Sequence, residues 1–339
     1  MTGKKILVTG AGGFIGSHLA KKLFNEDNFV RAVDIKWDNY IDEKYFSEEL
    51  TLDLRKYENC VLAVKDMDYV FNLAANMGGI AFITEVGADI MHDNTLINFY
   101  MAKACLAEKV RRLFFSSSAC IYPTYKQTAA EVKPLKETDA YPANPDDFYG
   151  WEKLYAEKML EAFSRDYGLD ARIARFHNIY GPEGTYKGGR EKSPAALCRK
   201  VSSATEDGEI EIWGDGEQTR SYCYIDDCLK GIIMLMESDY TEPLNIGSDR
   251  LVTINELADI IIKISGKNIA KKYNLNAPQG VRGRNADLTI AESLGWLPEV
   301  SLEEGIRNVY LWITSELEKV KQKKSNFDTS TAGNICVKP

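Results

Sequence analysis

The segment Lys5-Ile-Leu-Val-Thr9 is a short apolar run that breaks at Gly10-Ala-Gly12-Gly13-Phe14-Ile15-Gly16 and gives way to an amphipathic stretch from Phe14 to Phe24. A buried strand handing over to a helix through glycines constrains the fold more than any other feature. The chain must turn tightly and keep its backbone bare at the helix amino end. Gly10, Gly13 and Gly16 let backbone approach a pyrophosphate, and the first helical turn, with Phe14 and Ile15, turns unpaired N–H groups toward that anion. A second strand, Phe29 to Asp34, ends in a carboxylate about 20 residues on, where it can accept hydrogen bonds from an adenosine ribose. The same charge repels a 2′-phosphate, so NAD is expected rather than NADP. Asp53 and Leu54, after the next strand, are candidates for the adenine edge.

Tyr69 to Leu73 and Leu113 to Ser117 continue the rhythm as short apolar runs, with a long helical stretch around Asn94 to Ala107 between them. Strands alternating with helices predict an α/β fold, a doubly wound parallel sheet covered on both faces. From about residue 177 the rhythm breaks into charged, glycine-rich loops, and Asp226 to Met236 and Thr253 to Ile264 show the spacing of amphipathic helices. The expected division is an NAD-binding domain at 1–176, onto which some later segments pack back, a smaller α/β substrate-binding region at 177–321, and a polar, aperiodic mobile tail at 322–339.

A net charge of -8 and a pI near 5.2 argue against nucleic acid as a partner, since such binders carry basic faces to replace counterions. No apolar run approaches the ~20 residues of a membrane-spanning helix. The opening MTGKKILVTG passes straight into the first strand, so the expected location is the cytoplasm, away from membranes. Cysteines 60, 105, 120, 198, 223, 228 and 336 form no CxxC pair and are expected to be free, mostly buried thiols, with no metal site.

Tyr149-Gly-Trp-Glu-Lys153 sets a phenol and an ammonium four residues apart, hence on one face of a helix. The ammonium is expected to favour phenolate and so lower a group whose ordinary value is ~10. Tyr149 can then take a hydroxyl proton while the nicotinamide takes the hydride, and Lys153 also suits the nicotinamide ribose. Ser116-Ser117-Ser118-Ala119-Cys120 emerges at the carboxyl edge of a strand, where ligands of open α/β sheets bind. Ser118 is the candidate to hydrogen-bond both the reacting oxygen of a bound substrate and the tyrosine.

Together these residues resemble the extended short-chain dehydrogenase/reductase family, which includes NAD-dependent epimerases and dehydratases. The resemblance runs through HNIYGP (177–182), NIGS (245–248) and LGW (294–296), and so covers nearly the whole chain. Within the family, five long segments resemble the epimerases that invert carbons 3 and 5 of GDP-mannose. They are NLAANMGG (72–79), SSACIYP (117–123), GGREKSPAALCRK (188–200), WGDGEQTRS (213–221) and GVRGRNAD (280–287).

The resemblance implies a Rossmann-type fold, a homodimer, a bound nucleotide sugar and transient oxidation at carbon 4. GDP-L-galactose is the implied product, with GDP-L-gulose from inversion at carbon 5 alone. It casts Cys120 and Lys192 as the acid/base pair, in a place where related dehydratases carry an Asp-Glu pair. It makes Gly78, Asn178, Glu191, Lys200, Gln218, Arg220 and Arg282 candidates for holding sugar and diphosphate. The residues alone leave Arg220 and Arg282 open to a bland role as surface ion pairs. One departure is visible: the family segment typically reads NLAADMGG, and Asn76 replaces its acid. Two alternatives stay open, an epimerase or 4-dehydrogenase for another nucleotide sugar such as a GDP-heptose, and a catalytically silent NAD-binding scaffold.

Overall fold

The computed structural model describes residues 1–332 apart from 38 and 42, with side chains described as far as residue 322 except that of residue 81. In chain order the first half comprises β1 (Lys5–Thr9), α1 (Phe14–Asn25), β2 (Phe29–Asp34), β3 (Glu48–Thr51), α2 (Tyr57–Val64), β4 (Tyr69–Asn72), α3 (Ile80–Glu85), α4 (Gly87–Ala107), β5 (Arg112–Ser118), α5 (Phe148–Tyr167) and β6 (Ala171–Phe176). Six of the seven strands of the main sheet come from this half, in the order β6, β5, β4, β1, β2, β3. The seventh, Leu244–Ile246, returns from the second half to pair in parallel with β6. All neighbours are parallel, as the alternating rhythm predicts.

Alternation along each strand sends side chains to two cores. Ile6 and Val8 of β1 join α1 and the helices of the second half, whereas Leu7 faces the layer of α2, α4 and α5. In the second half come α6 (Ser193–Ser203), α7 (Ile225–Glu237) and α8 (Ile254–Ser265), the last started by Thr253, which accepts from Glu256 N and is paired by it in a capping box. Small sheets complete it, Glu209–Trp213 with Ala270–Asn274 and Leu251–Thr253 with Thr219–Ser221 and Gly283–Arg284.

The last helix, Leu302–Ala332, buries Ile306, Val309, Tyr310 and Ile313 at helical spacing, and its backbone continues through the first eleven positions of the stretch expected as a tail. Residues 333–339, with Cys336, lie outside the described residues. The six other cysteines are free, and all but Cys120 are buried.

Strand order reverses between β1 and β4. The loops leaving their carboxyl ends diverge there and open a crevice, with Thr9 and Asn72 in register and joined by a Thr9 Oγ1 to Asn72 Oδ1 hydrogen bond of 2.8 Å.

Candidate active site

At the end of β1, Gly10 has a φ of 68°, and a Cβ on it would stand 2.8 Å from the Leu73 carbonyl carbon. A Cβ on Gly16 would fall 2.0 Å from the Gly10 oxygen, so the loop and α1 can pack this closely only as glycines. No side chain caps α1 at Gly13, which leaves the amino-end N–H groups available to an anion. The Asp34 carboxylate is aimed at this loop, accepting from Gly12 N at 2.9 Å and Ile35 N at 2.7 Å. A bare turn at a helix start with a carboxylate beside it fits a dinucleotide. Further along the edge, Arg55 forks onto Asp53 with two contacts of 2.9 Å and holds its carboxyl below the usual range. Leu54 is buried beside it.

Asp147 caps α5 through Phe148 N, and the helix then presents Tyr149 and Lys153 on one buried face. Lys153 Nζ donates to the Ser116 carbonyl at 2.9 Å and lies 5.8 Å from the Tyr149 ring centre. Ser118 hydrogen-bonds the Tyr149 phenol and also accepts from Cys120 N at 3.2 Å. The expected lowering of the phenol by the lysine is not found. Burial pushes Tyr149 up, Cys120 and Glu152 add to the rise, and the Ser118 bond opposes it. Burial likewise draws the Lys153 ammonium down against the opposing pull of Glu152 and Glu157. Both groups are cut off from water, and desolvation outweighs one ammonium held by a carbonyl.

Cys120, half-buried, follows β5 by two residues. Its sulfur accepts from Arg284 Nη1 at 3.3 Å, while Arg284 also donates to Asp146 Oδ2 and Gln127 Oε1, each at 2.6 Å. Sequence reading passed over Arg284 in favour of Arg282, two residues away. No local signal separates the two, because residues two apart in a strand share a face and Arg284 meets Cys120 only through the fold. Arg282 instead makes an exposed, two-pronged pair with Asp215 at 2.8 and 2.9 Å.

Lys192 stands just before α6, solvent-accessible yet surrounded by enough protein that desolvation draws its ammonium down, with the Cys120 and Cys228 thiols opposing. Arg220 donates to the carbonyls of Thr219 at 2.7 Å and Gln279 at 3.2 Å, and burial, with Arg284 nearby, brings it down to about 10. Arg220 and Arg284 are register partners, so two guanidiniums stand side by side at this point of the cleft, with Arg284 fully engaged by protein groups.

The remaining candidates are spread along the cleft loops. Gly78 packs on Phe82, where a Cβ would meet ring and side-chain carbon at 2.9 Å. Asn178, with φ of 44°, donates to Ser221 O at 2.9 Å. Glu191 accepts from Gly189 N and Arg199. Gln218 donates to Trp213 O at 2.9 Å and leaves its buried side-chain oxygen without a partner. Lys200 is occupied by the Glu211 carbonyl at 2.7 Å. Asn76, the departure, donates to Asp93 Oδ2 at 3.4 Å, so an acid there would face a like charge.

Residues 6–247 match the family described as NAD dependent epimerase/dehydratase. The chain belongs to that family. Among NAD dependent epimerases and dehydratases, it is 48% identical over 335 residues to GDP-mannose 3,5-epimerase of Arabidopsis thaliana, covering 98% of this chain and 88% of that protein. It is also 48% identical to GDP-mannose 3,5-epimerase 1 of Oryza sativa subsp. indica, over 94% of this chain and 83% of that one. Among solved structures, UDP-glucose 4-epimerase of Thermotoga maritima with UDP-glucose superposes with a TM-score of 0.84 at 30% identity, over 92% of this chain and 99% of that one. Family membership makes NAD the cofactor of this protein.

Proposed function

We propose that the protein epimerises GDP-mannose at carbons 3 and 5, giving GDP-L-galactose, with GDP-L-gulose from inversion at carbon 5 alone. One observation carries the reading. Cys120, two residues past the end of β5, has its backbone N–H on Ser118 Oγ at 3.2 Å and its sulfur held by Arg284 at 3.3 Å, close enough to both Tyr149 and Lys192 to act on their charge, so a positioned thiol neighbours both the oxidation site and a second titratable group. A simple 4-epimerase needs no such extra pair.

Gly10, Gly13, Phe14, Ile15, Gly16 and Asp34 would hold the dinucleotide, which supplies the hydride acceptor and donor for carbon 4. Tyr149 Oη, steadied by Ser118 and with Lys153 beneath it, takes the proton of the 4-hydroxyl and later returns it. A ketone at carbon 4 makes the protons on carbons 3 and 5 removable, because each carbanion delocalises into an enolate. Inversion then needs removal on one face and delivery on the other, the roles of Cys120 Sγ and Lys192 Nζ. Arg220 suits the diphosphate, and residues 177–321 supply most of the sugar side.

Free thiols in all six described cysteines suit a cytoplasmic protein, and none of the described helices is long and apolar enough to cross a membrane. The outward faces of α4 and α5 carry exposed aromatic residues that suit a homodimer. The test of the reading is turnover of GDP-mannose in heavy water. Deuterium at carbons 5 and 3 of the sugar is expected; product without solvent label, or no conversion, overturns it.

A further inference from the structure

Glu152 sits between Tyr149 and Lys153 in sequence and is fully buried, yet no ion pair involving it occurs among the described residues. Its Oε1 accepts from Asn98 Nδ2 at 2.7 Å and its Oε2 from Asn94 Nδ2 at 3.2 Å. The direction of both bonds is dictated from far away. Thr9 Oγ1 accepts from the backbone N–H groups of Leu73 and Ala74, each at 3.1 Å, so its proton must go to Asn72 Oδ1. Asn72 then presents its NH2 to Asn98 Oδ1 at 3.0 Å, and Asn98 has only its own NH2 left for Glu152. On the other arm, Asn94 Oδ1 accepts from Asn76 N at 2.6 Å, which leaves its NH2 for the second carboxylate oxygen. Burial pushes the Glu152 carboxyl up, but Lys153, Asn94 and Asn98 oppose it, and donors converge on both oxygens with no acceptor for a carboxyl proton, so the group that satisfies them is an ionised carboxylate.

Lys153 has the complementary deficit. Its buried ammonium has one carbonyl partner and no carboxylate in contact among the described residues. Glu157, one turn further on, is occupied by Arg175 through contacts of 3.0 and 2.7 Å and by Ser117. A buried anion held by neutral amides and a buried cation held by a carbonyl occupy consecutive positions of one helix, out of direct contact but near enough for each to favour the other's charge.

We propose that Glu152 is a positioning residue of the oxidation step, the built-in counter-charge of Lys153, tied through Asn94 and Asn98 to the loops that line the cofactor crevice and the Asn76–Gly78 segment. The proposal rests on the reading of Tyr149 and Lys153 as the oxidation pair. Other titratable or charged groups near the pair are Cys120 and Asp146 from the loops before α5, Arg284 and Lys192 next to the sulfur, and Glu157 with its partner Arg175; Asp93, paired with Arg55, accepts from Asn76. None of these is altered by a change at 152.

Glu152→Gln removes the charge. Lys153 loses an anion that favours its ammonium and releases its proton at lower pH; Tyr149 loses a neighbour that disfavours phenolate and also ionises at lower pH. Both limbs of the pH profile of nicotinamide reduction by GDP-mannose in the holoenzyme should therefore move toward acid together, by on the order of one unit. Glutamine also sets an NH2 against that of Asn98, so the single variant should lose thermal stability as well. Glu152→Gln with Asn98→Asp repairs this: the new amide donates to the carboxylate introduced at position 98, Asn94 still has an acceptor, and the charge returns one side chain away. The double variant should regain thermal stability and return part of the profile shift. Limbs that stay in place in both variants, with only the amplitude changed, overturn the proposal.

An assay without substrate separates this from the assignment of function. The ultraviolet phenolate signal of Tyr149, taken as the difference from a Tyr149→Phe counterpart, should appear at lower pH in Glu152→Gln. If wild-type protein leaves GDP-mannose untouched, the functional reading fails, and this titration alone decides for or against Glu152.

Discussion

At the residue scale, the chemistry of the cleft depends on what holds Cys120. Arg284 forms three directed contacts at once, to the sulfur, to Gln127 and to Asp146, and a planar fork is the shape that can do so. Lysine offers a point charge on a flexible stem and cannot keep all three. Arg284→Lys should therefore slow solvent deuterium incorporation into the sugar by roughly a hundredfold, the equivalent of losing charge-assisted hydrogen bonds worth about 1.5–3 kcal/mol. Nicotinamide reduction at carbon 4 should fall much less, and equal losses in both assays would count against the role.

His177 shows how a buried ring sets a pH limit. Asn245 commits its NH2 to the Leu135 and Asp287 carbonyls, so its oxygen accepts from His177 Nε2 at 2.9 Å, and His177 Nδ1 is buried without a partner. The ring is neutral, lowered to about 3 chiefly by burial. The unfolded chain then binds a proton that the fold excludes. The associated stability is intact above the unfolded value near 6.5 and is lost as pH falls below it, at up to roughly 1.4 kcal/mol per unit. His177→Gln keeps a donor for Asn245 and should flatten the fall of melting temperature between about pH 6.5 and 5.5; an unchanged slope would contradict this.

Among the elements, β6 explains both what was legible and what was not. The runs KILVT, FVRAVD, YVFNL and LFFSS read as strands because their apolar residues are nearly unbroken. ARIARF carries two arginines and could not be read so, although it lies between β5 and Leu244–Ile246 in the sheet. Those charges are buried because they are met where the fold brings partners to them: Arg172 by the Ser238 carbonyl as well as by nearby Asp170, and Arg175 by Glu157, the pair being 3% and 4% exposed. The Tyr149 and Lys153 face follows from a spacing of four, and Ser118 from the end of a strand, so both are local signals. Arg284 reaches Cys120 across 164 residues, and Glu152 gains its meaning from Asn94 and Asn98 on another helix, which no local pattern encodes. Because Arg175 anchors α5 to β6 through Glu157, removing one partner strands a buried charge. Arg175→Met should cost about 3–5 kcal/mol in denaturant unfolding, and a loss below about 1 kcal/mol would show that the pair is not what fastens this helix.

For the whole molecule, α4 and α5 pack side by side and leave an aromatic stripe facing outward. Phe148, Trp151 and Tyr155 of α5 are 60%, 44% and 51% exposed, and Phe99 of α4 stacks edge-on against Phe163, which in turn meets Tyr167. Steps of three and four place these side chains along one helical face, a pattern that on a lone chain would expose a continuous apolar patch. A two-fold contact of this face with its own copy would bury the stripe without new chemistry, because an isologous interface needs only one self-complementary patch. The same helix carries Tyr149, Glu152 and Lys153 on its inner side, so covering its outer side should also steady the oxidation pair. Phe99→Glu with Tyr155→Glu introduces like charges on both sides of such a contact. At micromolar concentration the wild-type protein should sediment as a dimer and the double variant as a monomer that keeps its fold by circular dichroism. Activity of the monomer should fall and should recover on raising protein concentration, as mass action requires. A wild-type protein that sediments as a monomer at that concentration would remove this face from the assembly and leave its aromatic stripe for another partner.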